Sequence, residues 1–227
     1  MEDTIHDKQE SDLFYDGLGA KFLDSAYFTP GIRDYLAQEN SLISSVCDGA
    51  ESVLDVGCGN GHYLKALSAR VGCITGIDIS GNLIAYAQER TKSLDNVTAI
   101  QGDACRLTDI FKNDFEVSIV LWNTFGNIPF DRVGQLVSGL AALTRKRLFI
   151  SVFQKTPEAL AERLRYYEAV AFPVRAVRDH HVFLEDGAEP NAYDATYYKK
   201  TLNDAGFDVI VHPMGVGVVY EGRKRSL

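Results

Sequence analysis

The sequence has no apolar stretch long enough to cross a bilayer, and no pair of cysteines or histidines at metal-ligand spacing. Its four cysteines lie far apart, at Cys47, Cys58, Cys73 and Cys105. We predict reduced thiols, no metal site and a cytoplasmic location. The first twelve residues are acidic and polar, which is not the pattern of a signal peptide.

Basic residues are also scarce, and the formal net charge is −8. Only residues 145–147 and 223–225 form locally basic runs. Nucleic-acid binding usually needs a concentrated basic surface that neutralises phosphates. The composition therefore disfavours a nucleic-acid partner, gives no sign of a membrane partner, and favours a small-molecule substrate.

Hydrophobic residues, at 46% of the chain, are sufficient for a sizeable core. From residue 30 onward, helical periodicity alternates with short apolar runs, which predict strands at 52–56, 73–79, 97–101, 117–122 and 147–153. Such alternation is typical of the α/β class, with a doubly wound parallel sheet.

The alternation breaks after residue 153. A helix is predicted over 157–170 and strand-like sequence over 174–184, before a helix at 195–205 and two closing strands at 207–211 and 217–220. We predict a Rossmann-like seven-stranded sheet whose last strand is antiparallel. Residues 1–153 would form N-terminal helices and the core, 154–194 an inserted cap after the fifth strand, and 195–227 the helix and strands that complete the sheet.

The strongest motif is VLDVGCGNG at residues 53–61. Glycines there let the backbone turn sharply out of a strand, so that N–H groups at the start of the next helix face a ligand. Asp78 ends the following strand, 21 positions after Gly57, where Rossmann-like sites place a ribose-binding carboxylate. His62 stands where the dinucleotide fingerprint needs its third glycine, which argues against a dinucleotide.

This G-x-G-x-G loop preceded by Asp55 resembles motif I of the class I S-adenosylmethionine-dependent methyltransferases. GIDIS at 76–80, QGDA at 101–104 and LWNTFGN at 121–127 resemble three further motifs in the family's order. The resemblance covers roughly residues 15–153 and implies S-adenosyl-L-methionine as the cofactor.

The resemblance also implies a set of cofactor-binding residues: Asp55, Gly57, Cys58, Gly59 and Gly61 around the methionine moiety, Asp78 on the ribose, Ile79 on the adenine, Asp103 and Ala104 at its polar edge, and Asn123 at the amino-acid end or the substrate. Taken alone, Asp103 is also a good helix N-cap, and Asn123 could simply end a strand.

Tyr15, Tyr27 and Arg33 precede the first strand at a spacing that resembles small-molecule N-methyltransferases of the glycine type. The resemblance implies that these three residues close over the cofactor, with the arginine on its carboxylate. The alternative is that Tyr27 packs against the helix and Arg33 is solvated.

Substrate contacts are expected from Phe125 and Asn127. The cap adds Tyr166 and Tyr167 as an aromatic wall. It also adds two candidate general bases, His180 and His181. Neighbouring residues on a strand point to opposite faces, so at most one of the two histidines should face the site. A structural role for both, and an oligomer interface formed by the cap, are the alternatives.

The sequence therefore predicts an enzyme that transfers a methyl group from S-adenosylmethionine to an N or O nucleophile of a small metabolite. The alternatives are a protein or RNA methyltransferase, and a non-catalytic regulatory protein that binds the cofactor.

Overall fold

A seven-stranded sheet forms the centre of the computed structural model, which describes residues 24–185 and 187–225. The strands are β1 (Ser52–Val56), β2 (Cys73–Asp78), β3 (Val97–Gln101), β4 (Phe115–Val120), β5 (Thr144–Phe153), β8 (Phe207–Met214) and β9 (Gly217–Lys224). Their order in the sheet is β3-β2-β1-β4-β5-β9-β8. Strands β1 to β5 are parallel, and β9 runs antiparallel to both of its neighbours. The predicted fold is confirmed.

Helices cover both faces of this sheet. They are α1 (Pro30–Val46), α2 (His62–Leu67), α3 (Gly81–Thr91), α4 (Leu107–Ile110), α5 (Val133–Leu143), α6 (Pro157–Ala169) and α7 (Ala195–Asp204). Hydroxyl caps define where several of them begin. Thr29 Oγ1 accepts the N–H of Ile32 at 3.3 Å, with Pro30 at the first helical position.

The alternation of side chains along β1 divides the core into two layers. Val53 packs in the layer that contains α1, α2 and α6, whereas Leu54 and Val56 pack in the layer that contains α5 and α7. The strand order reverses between β1 and β4, and open α/β sheets bind ligands at such a point, outside the carboxyl ends of the strands.

Two predicted strands differ from the structure. Strand β4 ends at Val120, because Trp122 and Asn123 adopt the left-handed conformation with φ of 45° and 60°. The run 174–184 is a two-stranded hairpin, β6 (Val174–Arg178) and β7 (His181–Leu184). Its turn residues Asp179 and His180 have φ of 46° and 67°, which interrupts the pleat that a single strand requires.

The segment 154–194, predicted as a cap, shares its core with the main domain. Tyr166 of α6 lies 6.0 Å from Phe28 and 6.3 Å from Trp122, between ring centroids. The N–H of Asn191 donates to the carbonyl of Gly126 at 2.8 Å, which docks the end of the segment onto the turn after β4. Of the helices described, none is both long enough and apolar enough to span a membrane.

Candidate functional site

A cavity of about 650 Å³ opens at the carboxyl ends of β1, β2 and β4 and is closed on one side by α1. Its wall includes the loop after β1, the end of β2, the turn after β3 and the turn after β4. Four segments that are distant in sequence therefore meet at the point where the strand order reverses.

The glycine loop follows β1 and supplies part of this wall through Gly57, Cys58 and Gly59. Gly57 has φ of +77°, and a Cβ placed on it would lie 2.4 Å from Cγ2 of Thr124. Gly61 has φ of +78°, but it lies outside the cavity wall, and its missing Cβ leaves room for Ala87 of α3. We therefore separate Gly61, which permits helix packing, from the two glycines that face the cavity.

Asp78 and Ile79, the residues predicted to bind the ribose and the adenine, both line the cavity at the end of β2. The carboxylate of Asp78 accepts the N–H of Gly59 at 2.9 Å and the N–H of Ser80 at 3.0 Å. Asp78 thus fixes the glycine loop against β2 in addition to facing the cavity.

Asp103 and Ala104 also line the cavity. Asp103 Oδ1 accepts the N–H of Cys105 at 2.8 Å and so caps the short 3₁₀ turn Ala104–Arg106, while Oδ2 pairs with the guanidinium of Arg132. Burial raises the pKa of Asp103, but these hydrogen bonds outweigh burial and lower it overall. Asp103 therefore both caps the short turn and lines the cavity, and its carboxylate is charged.

The turn after β4 presents different side chains from those predicted. Trp122 and Thr124 line the cavity, whereas Asn123 is only 3% exposed, and its amide oxygen accepts the N–H of Phe153 at 3.4 Å. The left-handed backbone at residues 122 and 123 turns Asn123 away from the cavity and into the structure. Asn123 therefore stabilises the turn on its buried side, through its hydrogen bond to β5.

Of the three N-terminal residues predicted to close the site, Arg33 lines the cavity from α1. Tyr27 is partly buried against the core layer of α1 and is not part of the wall. Tyr15 lies outside the described residues.

Three of the four predicted substrate contacts are not in the wall. Asn127 lines the cavity, but Phe125 is fully buried on the other face of the sheet, 5.3 Å from Tyr198 between ring centroids. Tyr166 and Tyr167 are buried in the core layer of α1, because α6 turns its aromatic side chains toward the sheet.

The two candidate general bases also lie away from the cavity. His180 occupies the β6–β7 turn, where its Nδ1 is buried without a hydrogen-bond partner among the described residues. His181 begins β7, and its Nδ1 lies 2.5 Å from Oδ1 of Asn191. The expectation that at most one of them would face the site depended on a continuous strand, and the hairpin turn at Asp179 and His180 removes that basis.

Sequence reasoning missed Glu39, which lines the cavity from α1 although it is 0% exposed. Its carboxylate accepts the hydroxyl of Tyr63 at 2.8 Å and the hydroxyl of Ser151. A charged residue on the buried face of a helix, in register with Ile32, Tyr35 and Ile43, was the available signal.

The wall is electrostatically mixed. Asp55 is 2% exposed, and burial, followed by the nearby Asp78 and Glu39 carboxylates, raises its pKa to about 8. His62 and Arg90 line the cavity beyond the glycine loop, where burial and then the Arg90 charge lower the pKa of His62. The wall thus carries the carboxylates of Glu39, Asp55 and Asp78 as well as the guanidinium of Arg90.

Comparison with known proteins finds similarity to methyltransferases over part of the chain. Residues 53–147 match the sequence profile of the family described as "Methyltransferase domain". A demethylmenaquinone methyltransferase of Staphylococcus aureus (strain MRSA252) is 46% identical over 57 residues, which cover 24% of this chain and 24% of that protein. The match with this relative thus extends over about a quarter of the relative's length.

Solved structures show the same fold over nearly the whole chain. Magnesium protoporphyrin IX methyltransferase from Synechocystis PCC 6803 with bound SAH has a TM-score of 0.70 at 18% identity, covering 96% of this chain and 100% of that chain. The 1,6-didemethyltoxoflavin-N1-methyltransferase of Burkholderia thailandensis has a TM-score of 0.65 at 17% identity, covering 96% of this chain and 87% of that chain.

The profile match, the order of the motifs and the fold agree with one another. Residues 53–147 match the methyltransferase-domain family, and the fold is that of solved methyltransferase structures, both in agreement with the resemblance that the motifs carry.

Proposed function

We propose that the protein is a methyltransferase that uses S-adenosyl-L-methionine to methylate an N or O nucleophile of a small metabolite. The observation that carries the proposal is the convergence of the glycine loop, Asp78, Asp103 and the turn after β4 on one cavity of about 650 Å³. A volume of this size lies within the range of small-molecule sites, roughly 300–1,000 Å³.

The residues present fit this cofactor. Gly57 and Gly59 bring bare backbone to the cavity, Asp78 offers a carboxylate to ribose hydroxyls, and Asp103 with Ala104 offers polar groups to the adenine edge. Asp55 is buried and forms no ion pair within the described residues, so its carboxylate matches a cationic amino group. When bound, the cofactor supplies an electrophilic methyl group on a positively charged sulfur.

We infer that the acceptor binds between α1 and the turn after β4. Phe28 and Trp122 form an apolar wall there, with their ring centroids 4.7 Å apart and nearly perpendicular, and Leu36 extends it. Asn40 and Asn127 provide polar groups on the same wall. Apolar walls with a few amide groups suit a small, largely apolar acceptor held by one or two hydrogen bonds.

Several solved structures of this fold come from methyltransferases of small molecules, and one of them contains bound 1,6-didemethyltoxoflavin with S-adenosylhomocysteine. These neighbours support a metabolite as the acceptor.

The contribution of the chain to catalysis is mainly alignment. His180 and His181 lie outside the cavity wall, so neither is placed to take a proton from an acceptor in this conformation. Holding two reactants in line is sufficient for large accelerations when the leaving group is good. None of the described residues of 154–194 lines the cavity, so this segment, predicted as a cap, would influence specificity only indirectly, through the N–H of Asn191 that donates to the carbonyl of Gly126 in the turn after β4.

The test begins with binding. S-Adenosylmethionine and S-adenosylhomocysteine should each raise the melting temperature, with stabilisation of about 2.7 kcal/mol at a hundredfold excess over the dissociation constant. NAD is the control and should have no effect. Equal stabilisation by NAD alone would contradict the cofactor assignment.

Activity is then measured with methyl-labelled cofactor and fractionated cell metabolites, followed by protein and RNA fractions. Label transfer to a metabolite fraction is the expected result. Transfer only to macromolecules would reject the small-molecule acceptor, and tight binding without transfer to any fraction would indicate a regulatory cofactor-binding protein.

A further inference from the structure

Two buried carboxylates lie in the same part of the cavity wall. Glu39 of α1 is 0% exposed and Asp55 of β1 is 2% exposed. Within residues 24–185 and 187–225, neither side chain forms an ion pair with a lysine, arginine or histidine. Burying a carboxylate without a counter-charge is costly, so such a group either remains protonated or receives a cation from outside the chain.

Hydrogen bonds hold Glu39 in place. The Tyr63 hydroxyl donates to Oε1 at 2.8 Å, and the Ser151 hydroxyl donates to Oε2 while itself accepting the N–H of Trp122 at 2.8 Å. Glu39 is thereby tied to the turn after β4. The carboxylate of Asp55, in contrast, has no hydrogen-bond partner in the described part of the chain, and it lines the cavity, where a ligand can contact it.

The titratable groups that face the pair are all neutral or acidic: Tyr35 on α1, Tyr63 on α2, Asp78 at the end of β2, and the thiols of Cys47 and Cys58. Burial raises the pKa of both Glu39 and Asp55, and the Glu39 charge raises that of Asp55 further. Arg33 and Arg90 line the cavity but form no ion pair with either carboxylate. No group of three or more His, Cys, Asp or Glu side chains in the described ranges is arranged for a metal ion.

We propose that Glu39 and Asp55 form an acidic subsite that holds a proton in the ligand-free protein and releases it when the cationic methionine end of the cofactor binds. The proposal rests on the proposed function. On binding, an O–H bond of one carboxylic acid breaks and the proton passes to solvent. The ammonium and sulfonium charges of the cofactor then take the place of that proton beside the carboxylate, and no covalent bond forms. Glu39 is then a positioning residue that links the cofactor charge to the turn carrying Trp122.

The experiment is calorimetric titration of the wild-type protein with S-adenosylmethionine at pH 7.0 in phosphate and in Tris, whose ionisation enthalpies differ strongly. The difference between the two apparent binding enthalpies, divided by the difference between the ionisation enthalpies of the two buffers, gives the number of protons released. This number should be close to one. For one released proton, the association constant should rise about tenfold per pH unit below the pKa of the pair.

Three variants locate the proton. Glu39→Gln and Asp55→Asn should each reduce the release, and the double variant should abolish it. Glu116→Gln is the matched control, since Glu116 lies outside the cavity wall and should leave the release unchanged. Because the wild-type measurement needs no variant, a folding defect does not prevent the test.

The outcomes separate the two proposals. If S-adenosylmethionine does not bind, the proposed function is overturned and this inference with it. If it binds with the same apparent enthalpy in both buffers and with a flat pH dependence, the subsite holds no exchangeable proton, and this inference alone is overturned.

Discussion

The close approach of the glycine loop to the turn after β4 can be tested by Gly57→Ala. At Gly57, φ is +77°, and an added Cβ would lie 2.4 Å from Cγ2 and 2.5 Å from Oγ1 of Thr124. The left-handed backbone costs a residue with a side chain about 1–2 kcal/mol, and overpacking adds about 1–3 kcal/mol. We expect the free energy of unfolding to fall by roughly 2–5 kcal/mol in total.

Gly49→Ala is the matched control for the backbone contribution. Gly49 has φ of +73°, close to that of Gly57, but an added Cβ would meet no atom within 4 Å. Its cost should therefore be the backbone part alone, about 1–2 kcal/mol. Denaturant unfolding of both variants gives the steric part by subtraction.

A double variant identifies the colliding group. Thr124→Ala removes Cγ2 and Oγ1 and leaves only Cβ, which would lie 3.0 Å from the carbon added at Gly57. Gly57→Ala combined with Thr124→Ala should thus recover part of the stability, as a favourable coupling energy in a double-mutant cycle. If Gly57→Ala costs no more than Gly49→Ala, or if the coupling is zero, the argument for close approach is refuted.

Three further predictions concern other contacts. Asp78→Ala removes the acceptor of the N–H of Gly59 in the glycine loop and of the N–H of Ser80 after β2. It should weaken cofactor binding in calorimetry while the chain stays folded, and unchanged affinity would exclude the ribose role. Arg163→Ala should lower the free energy of unfolding by about 1.5–3 kcal/mol in denaturant, because the buried guanidinium of Arg163 donates to the carbonyl of Pro190 at 2.7 Å. Arg165→Ala is the control and should cost far less, since Arg165 is exposed. Burial raises the pKa of Glu221, but hydrogen bonds from Arg223, His212 and Arg147 lower it to about 2 overall. The contribution of Glu221 to stability is therefore present at neutral pH and is lost as pH falls from about 4.5 toward 2, and Glu221→Gln should make stability less dependent on pH in that range.

The sequence by itself determined the class of sheet and part of the cavity wall. Apolar runs alternating with helical periodicity predicted the strands along the chain, and Gly57, Asp78 and Asp103, predicted as site residues after or at the end of β1, β2 and β3, all line the cavity. This success has a physical reason. The carboxyl ends of parallel strands meet at one edge of the sheet, so a motif that follows a strand is placed there by local geometry.

Tertiary structure decided which side chains turn toward the cavity where the backbone leaves the regular pattern. Trp122 and Asn123 adopt positive φ, which directs Asn123 away from the cavity and leaves Trp122 and Thr124 in the wall. The hairpin turn at His180 has the same effect, since alternation along a strand no longer applies there. Non-glycine residues with positive φ follow no simple sequence rule.

The contacts between segments that are distant in the chain could not be predicted from the sequence either. Glu39 and Ser151 are separated by 112 positions, and their hydrogen bond forms because α1 packs on the face of β5 that carries Ser151. Tyr166 was an aromatic candidate for the substrate wall, but the same layer of packing buries it against Phe28. Hydrophobic periodicity predicts that one face of a helix will be buried. Only the packing of helices against the sheet determines what that face contacts, and whether a polar side chain on it lines a cavity.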